Sequence, residues 1–304
     1  MPEVWTPQRA ATRLVRIAET FSDAHGLRRF PVDVRQLALG AADIFGWKDP
    51  IAEVQAAPIK KFEGALFPDD DRSRWLLLYN QALTSPGRIR FTMAHELGHY
   101  ILHRLRRDSF ECSPADMLNW SHDEKDMEGQ ADLFASYLLM PLDDYREQVG
   151  ATVDLDILGR CAERYGVSLT AAILKWLSYT DEKAVLVMCK DGFIDWAWSS
   201  EPALKSGAFF KARTSTIEVP SGSLAADANV RHERAGATIQ ASVWFRFAEA
   251  QVQLREMKIS ADQYDSVLTD VYKRQVYRRA TLLVQLIGSK IWTGSLTFAA
   301  SDAG

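Results

Sequence analysis

The residues best suited to chemistry are His95, Glu96 and His99, which form the pattern HExxH. The segment around them, about Arg88 to Leu105, follows Ser85-Pro86-Gly87 and is predicted to be helical. Residues four apart lie on one face of a helix, so both imidazoles can bind one metal ion. Glu96 then lies beside the metal, where it can take a proton from water that zinc acidifies to a pKa of about 7. The pattern therefore predicts a zinc site with Glu96 as catalytic base.

A third ligand is expected from a second predicted helix, at about Lys125 to Leu139. Glu128 lies on it, and catalytic zinc sites commonly complete two histidines with a carboxylate. Asp132 comes one turn later on the same face, where it could accept a hydrogen bond from the far ring nitrogen of a ligating histidine. Zinc is the expected metal, although the same ligands could hold manganese or iron.

Two further histidines lie close to these motifs. His103 follows His99 by one turn and is interpreted as a structural residue or as support for a ligand. His122 precedes Glu128 and could polarise a substrate carbonyl or stabilise an oxyanion, or could be an ordinary exposed histidine. The sequence does not decide between the two roles given for either histidine.

The two motifs and their surroundings resemble the ImmA/IrrE family of metallopeptidases. The resemblance is carried by RFTMAHELGHYILH at 90–103, EGQADLFA at 128–135 and LLMP at 138–141, and it extends over about residues 8–180. It implies that His95, His99 and Glu128 bind the metal and that Glu96 is catalytic. It also implies a protein substrate, a helix-turn-helix repressor of phage, mobile-element or stress genes.

The remaining pattern predicts an α+β protein with a mainly helical peptidase core and a small sheet. Predicted helices begin at Thr6 and Asp33, and predicted strands lie near 61–67 and 75–79. The first of these strands is a candidate edge for pairing with an extended substrate. The expected organisation is a peptidase core at 1–150, a helix-turn-helix-like segment at 151–180, and a β-rich C-terminal domain of unknown role at 181–304.

Two segments bear on that organisation. The second helix of the helix-turn-helix-like pair, 168–179, has one basic residue, Lys175, and several apolar ones, which favours packing over DNA reading. The segment 270–275, DVYKRQ, resembles a translated sequencing adapter, which would make 270–304 non-native sequence.

Charge and composition limit the classes of partner. The 304-residue chain has a net charge of −4, which argues against a main role in binding nucleic acid. It has no apolar run long enough to cross a bilayer and no signal-peptide pattern, so the expected location is cytoplasmic. Eleven acidic residues between 108 and 147 could attract a basic substrate segment or could form a solvated surface.

The motifs thus predict a zinc endopeptidase, and the family resemblance implies that its substrate is a repressor. The alternative is a non-proteolytic regulator or antitoxin-like module that binds its partner without cutting it. The intact Glu96 favours the first interpretation, because binding alone needs no catalytic base.

Overall fold

The fold is that of a computed structural model, which describes residues 5–59, 62–107, 109–112, 122–261, 264–273 and 282–284. The described residues divide into two compact units. The first lies within Met1–Glu147 and Glu163–Ser168, and the second within Gln148–Ala162 and Leu169–Ile291. The predicted α+β class, with a β-rich C-terminal part, is confirmed.

The first unit begins with two helices whose ends match the capping signals in the sequence. Helix α1 spans Pro7–His25, and its cap Thr6 accepts a hydrogen bond from the backbone N–H of Arg9. Helix α2 spans Val34–Phe45. Each ends at a glycine with positive φ, 65° at Gly26 and 71° at Gly46, a conformation that residues with a Cβ rarely adopt.

A four-stranded sheet follows, with strand order β1-β3-β2-β4. The strands are β1 (Ile51–Ala57), β2 (Gly64–Pro68), β3 (Trp75–Asn80) and β4 (Phe110–Cys112). Strand β1 runs parallel to β3, whereas β2 is antiparallel to both β3 and β4. The expectation of a free edge near 61–67 is therefore wrong, because β4 pairs with that side of β2. Among the described strands, β1 and β4 form the edges of this sheet.

Three more helices follow: α3 (Pro86–His103), α4 (His122–Leu139) and α5 (Leu142–Val149). Leu97 and Tyr100 of α3 and Phe134 and Leu138 of α4 are all fully buried. The ring of Tyr100 packs against those of Trp47 and Trp75. A Cβ on Gly98 would lie 3.2 Å from the Cα of Ala131, so the two helices approach closely at this point.

Helix α3 is fixed at both ends. Near its start, Arg88 donates to the carboxylate of Glu63, with Nε at 2.8 Å from Oε2. Beyond its end, the buried Arg104 donates to Asp49 at 3.1 Å, and its guanidinium lies 3.4 Å from the ring centroid of Trp47. Two anchors at opposite ends limit rotation of the helix that carries HExxH.

The helix-turn-helix-like pair consists of α6 (Leu155–Tyr165) and α7 (Leu169–Leu177). Its residues 155–162 and 169–177 fall in the second unit, whereas 163–168 fall in the first. Residues 172–177 of α7 are all buried, including Lys175. These side chains pack into the protein, as the apolar pattern predicts.

A six-stranded sheet forms the rest of the second unit, with order β10-β5-β9-β8-β7 and β6 paired to β5. Its elements are β5 (Ala184–Lys190), β6 (Phe193–Ser199), the short helix α8 (Glu201–Lys205), β7 (His232–Gln240), β8 (Val252–Ala261), β9 (Tyr264–Lys273) and β10 (Leu282–Val284). Strands β5 and β6 form a hairpin that turns at Asp191 and Gly192, which both have positive φ, 52° and 83°. Strand β7 ends at Gln240, where a 3-10 turn, Ala241–Val243, begins.

No helix among the described residues is long and apolar enough to cross a membrane. Most of the segment 270–304 lies outside the described residues, and the adapter interpretation is not tested.

Candidate metal centre

Two neighbouring turns of α3 and one turn of α4 bring three ligand atoms together. The Nε2 atoms of His95 and His99 are 3.0 Å apart, and the carboxylate of Glu128 lies 3.0 Å from the first and 3.3 Å from the second. All three atoms lie within 4.8 Å of one another. This convergence depends on the i, i+4 spacing within α3 and on the close packing of α4 against it.

The spacing of these donors fits a metal ion. A tetrahedral zinc with bonds of about 2.0–2.1 Å to its ligands separates them by about 3.3 Å. The observed 3.0–3.3 Å separations are close to that value. Two imidazoles and one carboxylate are also the donor set typical of catalytic zinc, which retains one position for water.

The outer nitrogen of each histidine has a partner. Asp132 Oδ1 lies 2.9 Å from His95 Nδ1, so this carboxylate can accept the ring proton and leave a lone pair on Nε2, which faces the other two donor atoms. On the other ring, His99 Nδ1 lies 3.0 Å from His103 Nδ1. Both ligand rings are therefore oriented by side chains behind them.

Glu96 lies on the same turn as His95 and is fully buried. Strand β2 approaches it closely, since a Cβ on Gly64 would lie 2.5 Å from Glu96 Oε1. Only glycine at position 64 leaves the carboxylate where it is. The position of β2 therefore limits where the Glu96 carboxylate can lie.

A family model described as an IrrE N-terminal-like domain, of the M78 peptidases, matches residues 48–177. The match covers α3, α4 and all four strands of the first sheet. Residues 48–177 belong to the ImmA/IrrE family of metallopeptidases. No curated protein matches the chain.

Membership in a metallopeptidase family and the convergence of two histidines and a glutamate together indicate a metal ion in the IrrE-like domain. The identity of the metal and the role of each residue remain predictions.

Burial sets the electrostatics of this centre. It lowers the pKa of His99, which is fully buried, and lowers the pKa of His103 to about 3, so both rings are neutral near pH 7. Neutral imidazole is the form that binds metals. Burial raises the pKa of Glu128, but interactions with His99 and His95 outweigh it, and the net pKa lies below its ordinary value. Burial raises the pKa of Asp132 above its ordinary value, because the opposing effect of the hydrogen bond from His95 is smaller.

Sequence reasoning missed two neighbours of the ligands in the IrrE-like domain. The ring of Phe110, on β4, stacks on His99 with centroids 4.6 Å apart and planes 20° apart. Gln130 lies 3.2 Å from the far nitrogen of His103. Nothing in the sequence singles out Phe110, whereas Gln130 could have been noticed because it lies between Glu128 and Asp132.

His122 begins α4, and its side chain lies outside the description. Its predicted role in stabilising an oxyanion therefore stays a prediction. His103 lies behind His99, in contact with its Nδ1, and not among the three converging ligand atoms.

Proposed function

We propose that this protein is a zinc-dependent endopeptidase that cleaves a helix-turn-helix transcriptional repressor. The observation that carries the proposal is the convergence of His95, His99 and Glu128 beside the buried Glu96, within a domain of a metallopeptidase family. Under this proposal the three converging residues hold the metal and Glu96 is the catalytic base.

A bound zinc ion would polarise the scissile carbonyl and make water a nucleophile near neutral pH. Glu96 accepts the proton of the attacking water and later delivers it to the leaving amine. Its position one residue after His95 on α3 brings it beside the ligands, and the glycine at position 64 leaves room for its carboxylate. Burial keeps bulk solvent away from the carboxylate, which strengthens its interactions with the reacting groups.

Zinc is favoured by the donor set. Two imidazoles and a carboxylate at separations near a tetrahedral edge suit zinc, whereas a hard cation such as magnesium prefers six oxygen ligands. Manganese and iron accept the same donors and are the alternatives that metal analysis must exclude.

The class of substrate rests on the family resemblance and is compatible with the local charge. Asp126 on α4 and Asp143 and Glu147 on α5 are exposed and acidic, which suits a basic, DNA-binding target. Asp144 does not add to this surface. It is buried and accepts hydrogen bonds from Arg164 at 2.8 Å and 2.7 Å.

The proposal is tested by co-expressing the repressor encoded beside this gene with the wild-type chain, Glu96→Gln or Glu163→Gln. The last is a matched control, because it makes the same substitution at an exposed glutamate of α6. A discrete cut is expected with wild type and Glu163→Gln and not with Glu96→Gln, and mass spectrometry then identifies the bond.

The opposite result is equally specific. If the repressor stays intact and co-elutes in gel filtration with wild type and with Glu96→Gln alike, the protein binds without cutting, and the peptidase proposal is wrong. A cut that persists with Glu96→Gln would show that Glu96 is not the catalytic base.

A further inference from the structure

The buried ring of His99 faces a second imidazole, and this arrangement restricts where its proton can be. His99 Nδ1 and His103 Nδ1 are 3.0 Å apart. Two N–H groups cannot face each other at that distance, and two lone pairs gain nothing from doing so. One of the two nitrogens therefore carries the proton and the other accepts it.

The direction of this hydrogen bond decides whether His99 can bind a metal. A proton on His99 Nδ1 leaves a lone pair on its Nε2, which lies among the ligand atoms. The opposite direction leaves Nε2 protonated and blocks it. A metal-binding His99 therefore requires His103 to accept at Nδ1 and, as a neutral ring, to carry its own proton on Nε2.

Gln130 supplies the acceptor that this arrangement needs. Its Oε1 lies 3.2 Å from His103 Nε2, and its Nε2 lies 2.6 Å from Asp126 Oδ2. An ionised carboxylate only accepts hydrogen bonds, so Asp126 must face the amide NH2 group, and the amide oxygen must face His103. Asp126 and Gln130 are one turn apart on α4, which lets both side chains act together.

The two ligand histidines are thus oriented by different groups on one helix. His95 faces the carboxylate of Asp132 directly, whereas His99 is reached from Asp126 through Gln130 and His103. The turns of α4 from 126 to 132 carry the glutamate that faces the metal position and the groups that set both rings.

We propose that Gln130 is a positioning residue for the metal site, which fixes the proton of His99 on Nδ1 through His103 and so keeps Nε2 available to the cation. This inference rests on the proposed function, because it assumes that His99 is a metal ligand.

The first test needs no substitution. Long-range proton–nitrogen correlation spectra of the full-length, zinc-loaded chain with ¹⁵N-labelled histidine report which nitrogen of each ring carries the proton. The expected result is a proton on Nδ1 of His99 and on Nε2 of His103. A proton on Nδ1 of His103 overturns the proposal, whether or not any variant folds.

The second test compares zinc affinity, measured by competition with a chromophoric chelator, in four full-length chains. Gln130→Met keeps the length of the side chain but removes the acceptor, and zinc binding should weaken by about 10- to 100-fold, the usual effect of losing such a partner. Gln130→Glu retains an acceptor and should restore most of the affinity. Gln148→Met makes the same change at an exposed position and should match wild type.

The outcomes separate this inference from the proposed function. If wild type binds zinc and Gln130→Met binds equally well, the positioning role is wrong and the metal site stands. If wild type binds no zinc, the proposed function fails. Should Gln130→Met not fold, Asp126→Ala at an exposed position frees the amide to rotate and must weaken zinc binding in the same direction.

Discussion

A methyl group at position 98 tests the close approach of the two helices that carry the metal site. Gly98 lies in the interior of α3, and a Cβ added there would lie 3.0 Å from Phe134 Cδ1, 3.2 Å from Ala131 Cα and 3.3 Å from the Ala131 carbonyl oxygen. Two of these three atoms belong to the backbone of α4, so rotation of a side chain cannot relieve all of the contacts. The substitution Gly98→Ala must push α4 away from α3.

The net effect on stability is the difference between two terms. Alanine in a helix interior is favoured over glycine by about 0.8–1 kcal/mol. Overpacking a tight interface costs about 1–3 kcal/mol. The free energy of unfolding of Gly98→Ala should therefore be lower than that of wild type by up to about 2 kcal/mol.

Gly40→Ala is the matched control, because position 40 lies within α2 and its added Cβ would meet no atom within 4 Å. It should gain most of the 0.8–1 kcal/mol, an expected difference of about 1–3 kcal/mol between the two variants. Urea unfolding of the full-length, metal-stripped chains measures both. Zinc affinity should fall only in Gly98→Ala, because α4 carries Glu128. Equal stabilisation by both substitutions would refute the argument that glycine at 98 permits the helix approach.

Three further predictions follow from single contacts. Gly64→Ala places a methyl group against Glu96 and should lower kcat for repressor cleavage by about tenfold or more, while zinc affinity stays the same. An unchanged kcat would contradict the placement of the base. Asp132→Ala removes the acceptor of the His95 ring proton and should weaken zinc binding by about 10- to 100-fold in chelator competition, whereas unchanged affinity would exclude this role. Burial lowers the pKa of Lys175 from 10.5 to about 7, so between these pH values the unfolded chain binds more protons than the folded chain, and the free energy of unfolding should rise from pH 7 to pH 10.5. Lys175→Met should abolish this rise in thermal melts, and a rise that persists in the variant would contradict the reasoning.

The helices of the first unit were predictable where caps and periodicity agree. Thr6 and Asp33 begin α1 and α2, and Gly26 and Gly46 follow them, as the sequence indicates. Helix α5 is not among the predicted helices, although the sequence carries a signal for it. The acidic residues at 143 and 144 are typical of a first helical turn.

The strands were harder to predict because their stability comes from their partners. Strand β1 lacks the strict alternation of buried and exposed residues that identifies a strand from sequence. Strand β4 has only three residues and is defined by its pairing with β2. For the same reason the sequence could not show that β2 has no free edge between Gly64 and Leu66.

The candidate site was predictable to the extent that it depends on helical spacing. Residues His95 and His99 must share a face of α3, and Glu128 and Asp132 a face of α4. Which atoms meet across the two helices depends on their rotation and separation, which local patterns do not determine. The stacking of Phe110 on His99 and the contact of Gln130 with His103 are contacts between different elements, so the sequence did not predict them.

The most direct measurement for the central claim is zinc K-edge X-ray absorption of the full-length, zinc-loaded protein, recorded for wild type and for Glu128→Gln. The account predicts a shell of nitrogen and oxygen donors at about 2.0–2.2 Å, with the multiple scattering of two imidazoles, and a changed shell in the variant. A sulfur shell near about 2.3 Å, or a spectrum without imidazole scattering, would contradict the assignment of His95, His99 and Glu128 as the ligands.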